Sequence, residues 1–204
     1  MKTVIIANPT PNNINEIIKI NQDDYVVAVD GAYLECLNQN IKVDFIIGDF
    51  DSLTNYEKLI ENVEHQKLDE NKDYSDTYYA VEHSQKKTPN NQIYLLGGIG
   101  GDRFEHTYAN ILLLINNPNL IVLTEKSEIR LLNEGECIVK YNGYINLFAV
   151  TPSNVTLKGF KYNLNEYKLM PNNPLGLSNE LLEDKGNIII SKGKIILIKT
   201  KYSH

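Results

Sequence analysis

Short apolar runs alternate with segments of helical spacing through the first part of the chain. Val4 to Ala7 and Tyr25 to Val29 are β-rich, and Ile14, Ile17 and Ile18 recur between them at helical spacing. A helix is expected from Ala32 to Leu37, a strand from Phe45 to Ile47, a helix from Leu53 to Asn62 and a strand from Val63 to Lys67. Helices at Asp76 to His83 and Glu105 to Ile115 then alternate with strands at Ile93 to Leu96 and Leu120 to Leu123. Such alternation predicts a mostly parallel α/β sheet with helices on its faces. From Glu128 the pattern changes to short strands divided by turn signals: Ile129–Leu132, Cys137–Tyr141, Tyr144–Val150, Val155–Leu157, Ile188–Ser191 and Ile195–Lys199. Asn142-Gly143 and Lys192-Gly193 read as hairpin turns, Pro152 and Asn154 as loop residues, and Tyr162 to Ser178 as an irregular excursion. An all-β antiparallel sandwich is therefore expected to follow the α/β part. The boundary near Thr124 to Ser127 divides residues 1–125 from 126–204.

At 204 residues with 42% hydrophobic content, the chain can build one large or two small cores. Its net charge of -6 argues against a general nucleic-acid binder. Cys36 and Cys137 lack metal-ligand spacing and read as reduced residues of a cytoplasmic protein. The apolar run at the N-terminus suits a first strand better than a signal peptide, and no segment reaches the ~20 apolar residues of a membrane span.

Candidate chemistry gathers where predicted strands end. Phe45-Ile46-Ile47-Gly48 runs into Asp49-Phe50-Asp51-Ser52. Side chains two apart on extended backbone share a side, so Asp49 and Asp51 can aim at one point while Phe50 turns back to pack. Two close carboxylates repel unless a cation or a proton separates them; a divalent metal is the usual resolution, and hard Mg²⁺ suits oxygen ligands. The bland alternative is a helix cap formed by Asp51 and Ser52. Asp30-Gly31 follows another strand, and Lys72-Asp73-Tyr74-Ser75-Asp76 precedes a helix. Both also read as turn or cap signals. A glycine-rich loop, Gly97 to Gly101, leads through Asp102, Arg103, Phe104 and Glu105 to His106 on a helix start. Its N–H groups and Arg103, one of only two arginines, suit phosphate oxygens. Walker and dinucleotide patterns are both absent. A parallel sheet collects such groups at the carboxyl ends of its strands. Carboxylates beside a basic phosphate loop are what metal-dependent phosphoryl transfer requires.

This ordered set resembles the thiamine pyrophosphokinase family. The resemblance runs from Asp30-Gly31-Ala32 and Gly48 to Ser52, through Lys72 to Asp76 and the Arg103–His106 loop with Ala109-Asn110. It continues in Gly159-Phe160-Lys161-Tyr162-Asn163-Leu164 and Gly176-Leu177-Ser178-Asn179-Glu180. It implies an N-terminal α/β nucleotide-binding catalytic domain, a C-terminal thiamine-binding β-sandwich, and a homodimer with active sites between subunits. The implied reaction moves the pyrophosphoryl group of ATP to the hydroxyl of thiamine, giving thiamine diphosphate and AMP. Carried over by motif, Asp49, Asp51 and Asp76 are the Mg²⁺ and catalytic carboxylates, with Asp30 and Asp73 in support. Arg103, His106 and Asn110 contact or support the nucleotide phosphates, and Tyr162, Ser178 and Asn179 form the thiamine pocket. A tyrosine there can meet the cationic heterocycle by stacking or cation–π attraction, although the chain has 13 tyrosines.

The chain departs from the family pattern at Asp102 and Glu105, where glycine and aspartate are usual. It departs also at Tyr78, where an acid is common, and at Asn8-Pro9-Thr10, where glycines are common. Two other readings fit the same residues: a pyrophosphokinase for another hydroxymethyl heterocycle such as a pterin, and a non-catalytic sensor of thiamine or nucleotide.

Overall fold

The computed structural model describes residues 1–51 and 56–202. The chain divides into two compact units, Met1–Glu125 and Lys126–His204. In the first unit β1 (Thr3–Ala7), α1 (Ile14–Ile17), β2 (Tyr25–Val29), α2 (Ala32–Asn38) and β3 (Phe45–Gly48) follow in order. Next come α3 (Tyr56–Ile60), β4 (Glu64–Lys67), α4 (Asp76–Lys87), β5 (Ile93–Gly97), α5 (Phe104–Asn116) and β6 (Leu120–Leu123). The six strands pair in parallel in the order β4-β3-β2-β1-β5-β6. Every residue of β1 is buried, as expected for a central parallel strand covered on both faces. The edge strand β4, Glu-His-Gln-Lys in sequence, is exposed throughout. α4 packs on β1, β2 and β3, and also meets α5. The core unites Val4, Ile6, Val26, Ala28, Ile46 and Phe50, so Phe50 does turn inward. The expected helix cap at Ser52, and the helix start at 53–55, lie outside the described residues.

The second unit is the expected all-β antiparallel sandwich. Its strands are β7 (Ser127–Leu132), β8 (Gly135–Val139), β9 (Tyr144–Ala149), β10 (Ser153–Lys158), β11 (Leu164–Leu169), β12 (Gly176–Asn179), β13 (Gly186–Lys192) and β14 (Ile195–Thr200). One sheet runs β12-β9-β14-β7 and the other β11-β10-β13-β8, all antiparallel. Alternate residues of both sheets meet in one core, among them Ile145, Leu147, Leu197, Val155, Leu157, Ile188 and Ile190.

Three expectations are corrected in this unit. The excursion from Tyr162 to Ser178 contains two strands, β11 and β12. Both lie at sheet edges and carry little apolar alternation, which is why the pattern hides them. Asn154 lies within β10, at a bulge before Val155, rather than in a loop. Asn142-Gly143 and Lys192-Gly193 are not hairpin turns, because each joins strands of opposite sheets: β8 to β9, and β13 to β14. A turn signal marks a reversal of the chain without saying which sheet receives the next strand.

Candidate active site

β1 has β2 on one side and β5 on the other, so strand order reverses there. In open parallel sheets this switch point opens a crevice at the carboxyl ends of the strands. A cavity of ≈ 560 Å³ occupies that edge and is lined by Asn8, Asp30, Asp49, Lys72, Asp76, Arg103 and His106, among others.

Asp30 follows β2 and takes a left-handed backbone, φ 48°. Its N–H donates to the Ile47 carbonyl of β3 at 2.9 Å, which draws the two strand ends together. Gly48 permits that approach, since a Cβ there would lie 2.8 Å from the Cβ of Asp30. Asp49 comes next, then Phe50 at φ 65°, then exposed Asp51, whose N–H donates to Asp49 Oδ1 at 3.3 Å. One carboxylate oxygen from each of Asp30, Asp49 and Asp51 lies within 4.8 Å of the others. Two unit charges at that spacing repel by roughly 3 kcal/mol at an effective dielectric near 20.

Lys72 meets part of this charge. Its ammonium lies 2.7 Å from Asp49 Oδ2 and 3.1 Å from Asp76 Oδ1. Asp76 opens α4, and Ser75 caps that helix by accepting the Tyr78 N–H at 3.2 Å. The Lys72 hydrogen bond, against the effect of burial, holds the Asp49 carboxyl below its ordinary value. The Asp49 charge raises Asp51, and burial and Asp30 add to that rise. Burial raises Asp76, and Lys72 draws it part of the way back. The strand-end acids thus form two groups: Asp30, Asp49 and Asp51 face one another, while Lys72 ties Asp49 to Asp76. Asp73 is exposed and lines a neighbouring hollow instead of this cleft.

The glycine-rich loop leads into α5 beside this cleft. Gly97 takes φ 78°, and a Cβ there would meet the Ala7 carbonyl oxygen at 2.3 Å, so only glycine fits. Asn110 is buried and donates from Nδ2 to the Gly98 carbonyl at 2.7 Å. Thr107 accepts the Gly100 N–H at 2.8 Å. These two side chains clamp the loop from behind, while Arg103 and His106 line the cleft and are exposed. Arg103 Nε pairs with its neighbour Glu105 at 2.8 Å. Sequence reasoning assigned no role to Lys72 or Thr107. For Lys72 a signal was present, a lysine four residues before Asp76 in a chain segment crowded with acids.

The residues Tyr162, Ser178 and Asn179 come together in the second unit. Tyr162 is exposed. Its N–H donates to Asn179 Oδ1 at 3.1 Å, and its carbonyl accepts from Asn179 Nδ2 at 2.8 Å. Asn179 is buried and acts as a brace for the Tyr162 backbone. Ser178 is exposed at φ 57°, and its N–H donates to Asn146 Oδ1 at 2.7 Å.

Comparison with known proteins bears on both units. The family description "Thiamin pyrophosphokinase, catalytic domain" matches residues 18–124, and "Thiamin pyrophosphokinase, vitamin B1 binding domain" matches residues 127–196. The chain belongs to the thiamin pyrophosphokinase family. It is 28% identical over 214 residues to the thiamine pyrophosphokinase of Bacillus subtilis (strain 168), covering 98% of this chain and 99% of that protein. Crystal structures of thiamin pyrophosphokinases share the fold. That from Bacillus subtilis has a TM-score of 0.84 at 24% identity, over 99% of this chain and 100% of its own. The Enterococcus faecalis family protein has a TM-score of 0.86 at 24% identity, with both chains covered in full, 100% and 100%. The thiamin pyrophosphokinase of Candida albicans has a TM-score of 0.77 at 18% identity, over 98% of this chain and 89% of its own. Among the described residues, no helix is long and apolar enough to cross a membrane.

Proposed function

We propose that this thiamin pyrophosphokinase family member transfers the pyrophosphoryl group of ATP to the hydroxyl of thiamine, yielding thiamine diphosphate and AMP. The observation that carries the reading is the set of Asp30, Asp49 and Asp51 oxygens within 4.8 Å of one another, with Asp30 and Asp49 lining a cleft that Arg103 and His106 also line. We assign residues 1–125 to nucleotide binding and chemistry, and residues 126–204 to thiamine.

The acidic set fits Mg²⁺: its donors are all carboxylate oxygens, the hard ligands this ion prefers, and one from each of the three residues lies within 4.8 Å of the others. Asp30, Asp49 and Asp51 would hold the ion, and Asp76 would support it through Lys72. When bound there, Mg²⁺ supplies positive charge toward phosphate oxygens.

The chain's own groups do the rest. Arg103 and Lys72 offset negative charge that builds on the transferring group. The thiamine hydroxyl oxygen attacks the β-phosphorus, the bond from that phosphorus to the α–β bridging oxygen breaks, and AMP leaves with the electron pair. Asp76, whose proton affinity burial raises, takes the hydroxyl proton. In the second unit the exposed ring of Tyr162 offers a face to the thiamine heterocycle, with Ser178 and the brace Asn179 fixing the segment. A homodimeric, cytoplasmic enzyme is part of the proposal.

Incubation with ATP, Mg²⁺ and thiamine tests it, with thiamine diphosphate and AMP read by chromatography. Formation of both in equal amounts is expected. AMP release with a hydroxymethyl pterin and not with thiamine would transfer the reading to another alcohol. Tight ligand binding without AMP would make the chain a sensor. Light scattering tests the dimer.

A further inference from the structure

Beside the carboxylate cleft lies a second hollow, of ≈ 510 Å³, between α4 and α5. Tyr74, Tyr78 and Val81 line it from the α4 side, and Ala109, Leu112 and Leu113 from α5. Tyr74 and Ser75 line both this hollow and the cleft, so the two adjoin at the start of α4. There the rings of Tyr74 and Tyr78 stack, with centroids 4.2 Å apart and planes 16° from parallel. Tyr79 stands edge-on to both, at 6.2 Å and 5.7 Å. Tyr78 and Tyr79 thereby hold the Tyr74 ring in place, yet Tyr74 stays 54% exposed.

Three features select an occupant. A fixed, flat and exposed aromatic ring gains most from a planar partner, because stacked rings attract regardless of hydrogen-bond pattern. The hollow adjoins a cleft lined by the cationic Lys72 and Arg103, so one molecule with both a phosphate chain and a planar ring suits the pair. α5 also begins at the glycine-rich loop and supplies the apolar wall in its next turns. We infer that Tyr74, backed by Tyr78, is the stacking platform for the nucleobase of the nucleotide substrate, seated in the hollow between α4 and α5. This rests on the phosphoryl-transfer reading of the cleft. The thiamine ring is a poorer candidate, since the segment matched as vitamin B1 binding is the other unit.

The test compares ATP with inorganic tripolyphosphate, which has the phosphate chain and no base. Calorimetric titration of the full chain with Mg²⁺ present should show ATP binding more tightly than tripolyphosphate. Tyr74→Ala should weaken ATP roughly tenfold, the lower range of base–aromatic stacking, and leave tripolyphosphate unchanged. Tyr74→Phe should keep both affinities. In turnover, Tyr74→Ala should raise KM for ATP and spare kcat and the KM for thiamine. Should Tyr74→Ala lower the thermal midpoint, Tyr74→Leu, which keeps apolar bulk without a ring face, is read in its place and should show the same selective loss. Equal weakening of ATP and tripolyphosphate, unchanged ATP binding, or a rise confined to the KM for thiamine would each overturn the platform. Wild-type protein that binds ATP no better than tripolyphosphate would overturn it as well. Wild-type protein that makes no thiamine diphosphate, yet shows the Tyr74-dependent preference for ATP, sinks the thiamine reading and supports the platform.

Discussion

Lys72 and Asp49 form an ion pair of 2.7 Å whose side chains are only 12% and 15% exposed. Solvent therefore screens it less than an ordinary surface pair. The same ammonium reaches Asp76, so one cation serves two carboxylates. Burial works against the charge of Lys72, yet the two acids hold it above its ordinary value. Lys72→Met leaves both carboxylates without that partner and removes a positive group from the cleft. Turnover should fall on the order of 100-fold, as for loss of one preorganised donor, with Lys72→Arg retaining more. AMP release rates measure this, and a Lys72→Met enzyme at wild-type rate would exclude the role.

Asp51 separates activity from stability. Its charge is disfavoured, chiefly by Asp49, so its folded value is raised and it costs stability once pH passes through that value. Asp51→Asn removes both the repulsion and one of the oxygens proposed to hold Mg²⁺. Mg²⁺-dependent turnover should be lost while the unfolding midpoint in urea stays the same or rises. Near-normal turnover would sink the metal assignment.

The sequence carried the acidic edge because its signals are local. An apolar run, a glycine and two acids two residues apart describe a strand end without knowledge of the rest of the fold. Lys72 is different: its meaning depends on Asp49, 23 residues earlier, which only the folded sheet brings near. Asn110 shows the same limit. The sequence motif leaves it either contacting the nucleotide phosphates or supporting their site, and only the fold shows it buried and bonded to the Gly98 carbonyl 12 residues away. Asn179 likewise faces its own chain, bracing Tyr162. The missed strands β11 and β12 fall in the same class, since an edge strand follows from its neighbours more than from its own alternation.

Far from the cleft, Asp24 sets a limit on acid stability. Burial raises its carboxyl, but the Lys2 ammonium at 2.5 Å and the N–H groups of Asn21 and Lys2 outweigh that and bring it to about 2, against an ordinary 3.8. A depressed folded value stabilises the protein fully above the unfolded value, and the gain disappears as pH falls from 3.8 through about 2. The difference corresponds to roughly 2 kcal/mol. Urea unfolding should place Asp24→Asn below wild type by about that much near neutral pH. The gap should close across the same acid window, and a pH-independent gap would assign the effect to packing instead.

Gly48 links the fold to the chemistry. A Cβ at this position would lie 2.8 Å from Asp30 Cβ, 3.0 Å from its Cα and 3.2 Å from its N. Two of those atoms are backbone and cannot swing aside as a flexible side chain can. Gly48→Ala must therefore push the ends of β2 and β3 apart, straining the Asp30 N–H bond to Ile47. Overpacking of this kind costs about 1–3 kcal/mol. The same displacement carries Asp30 away from Asp49 and Asp51, which follow Gly48 directly. The Mg²⁺ concentration for half-maximal turnover should rise while the KM for thiamine holds, because the residues proposed for thiamine, Tyr162, Ser178 and Asn179, belong to the other unit. Loss of stability with an unchanged Mg²⁺ requirement would leave Asp30 outside the metal set and reduce that set to Asp49 and Asp51.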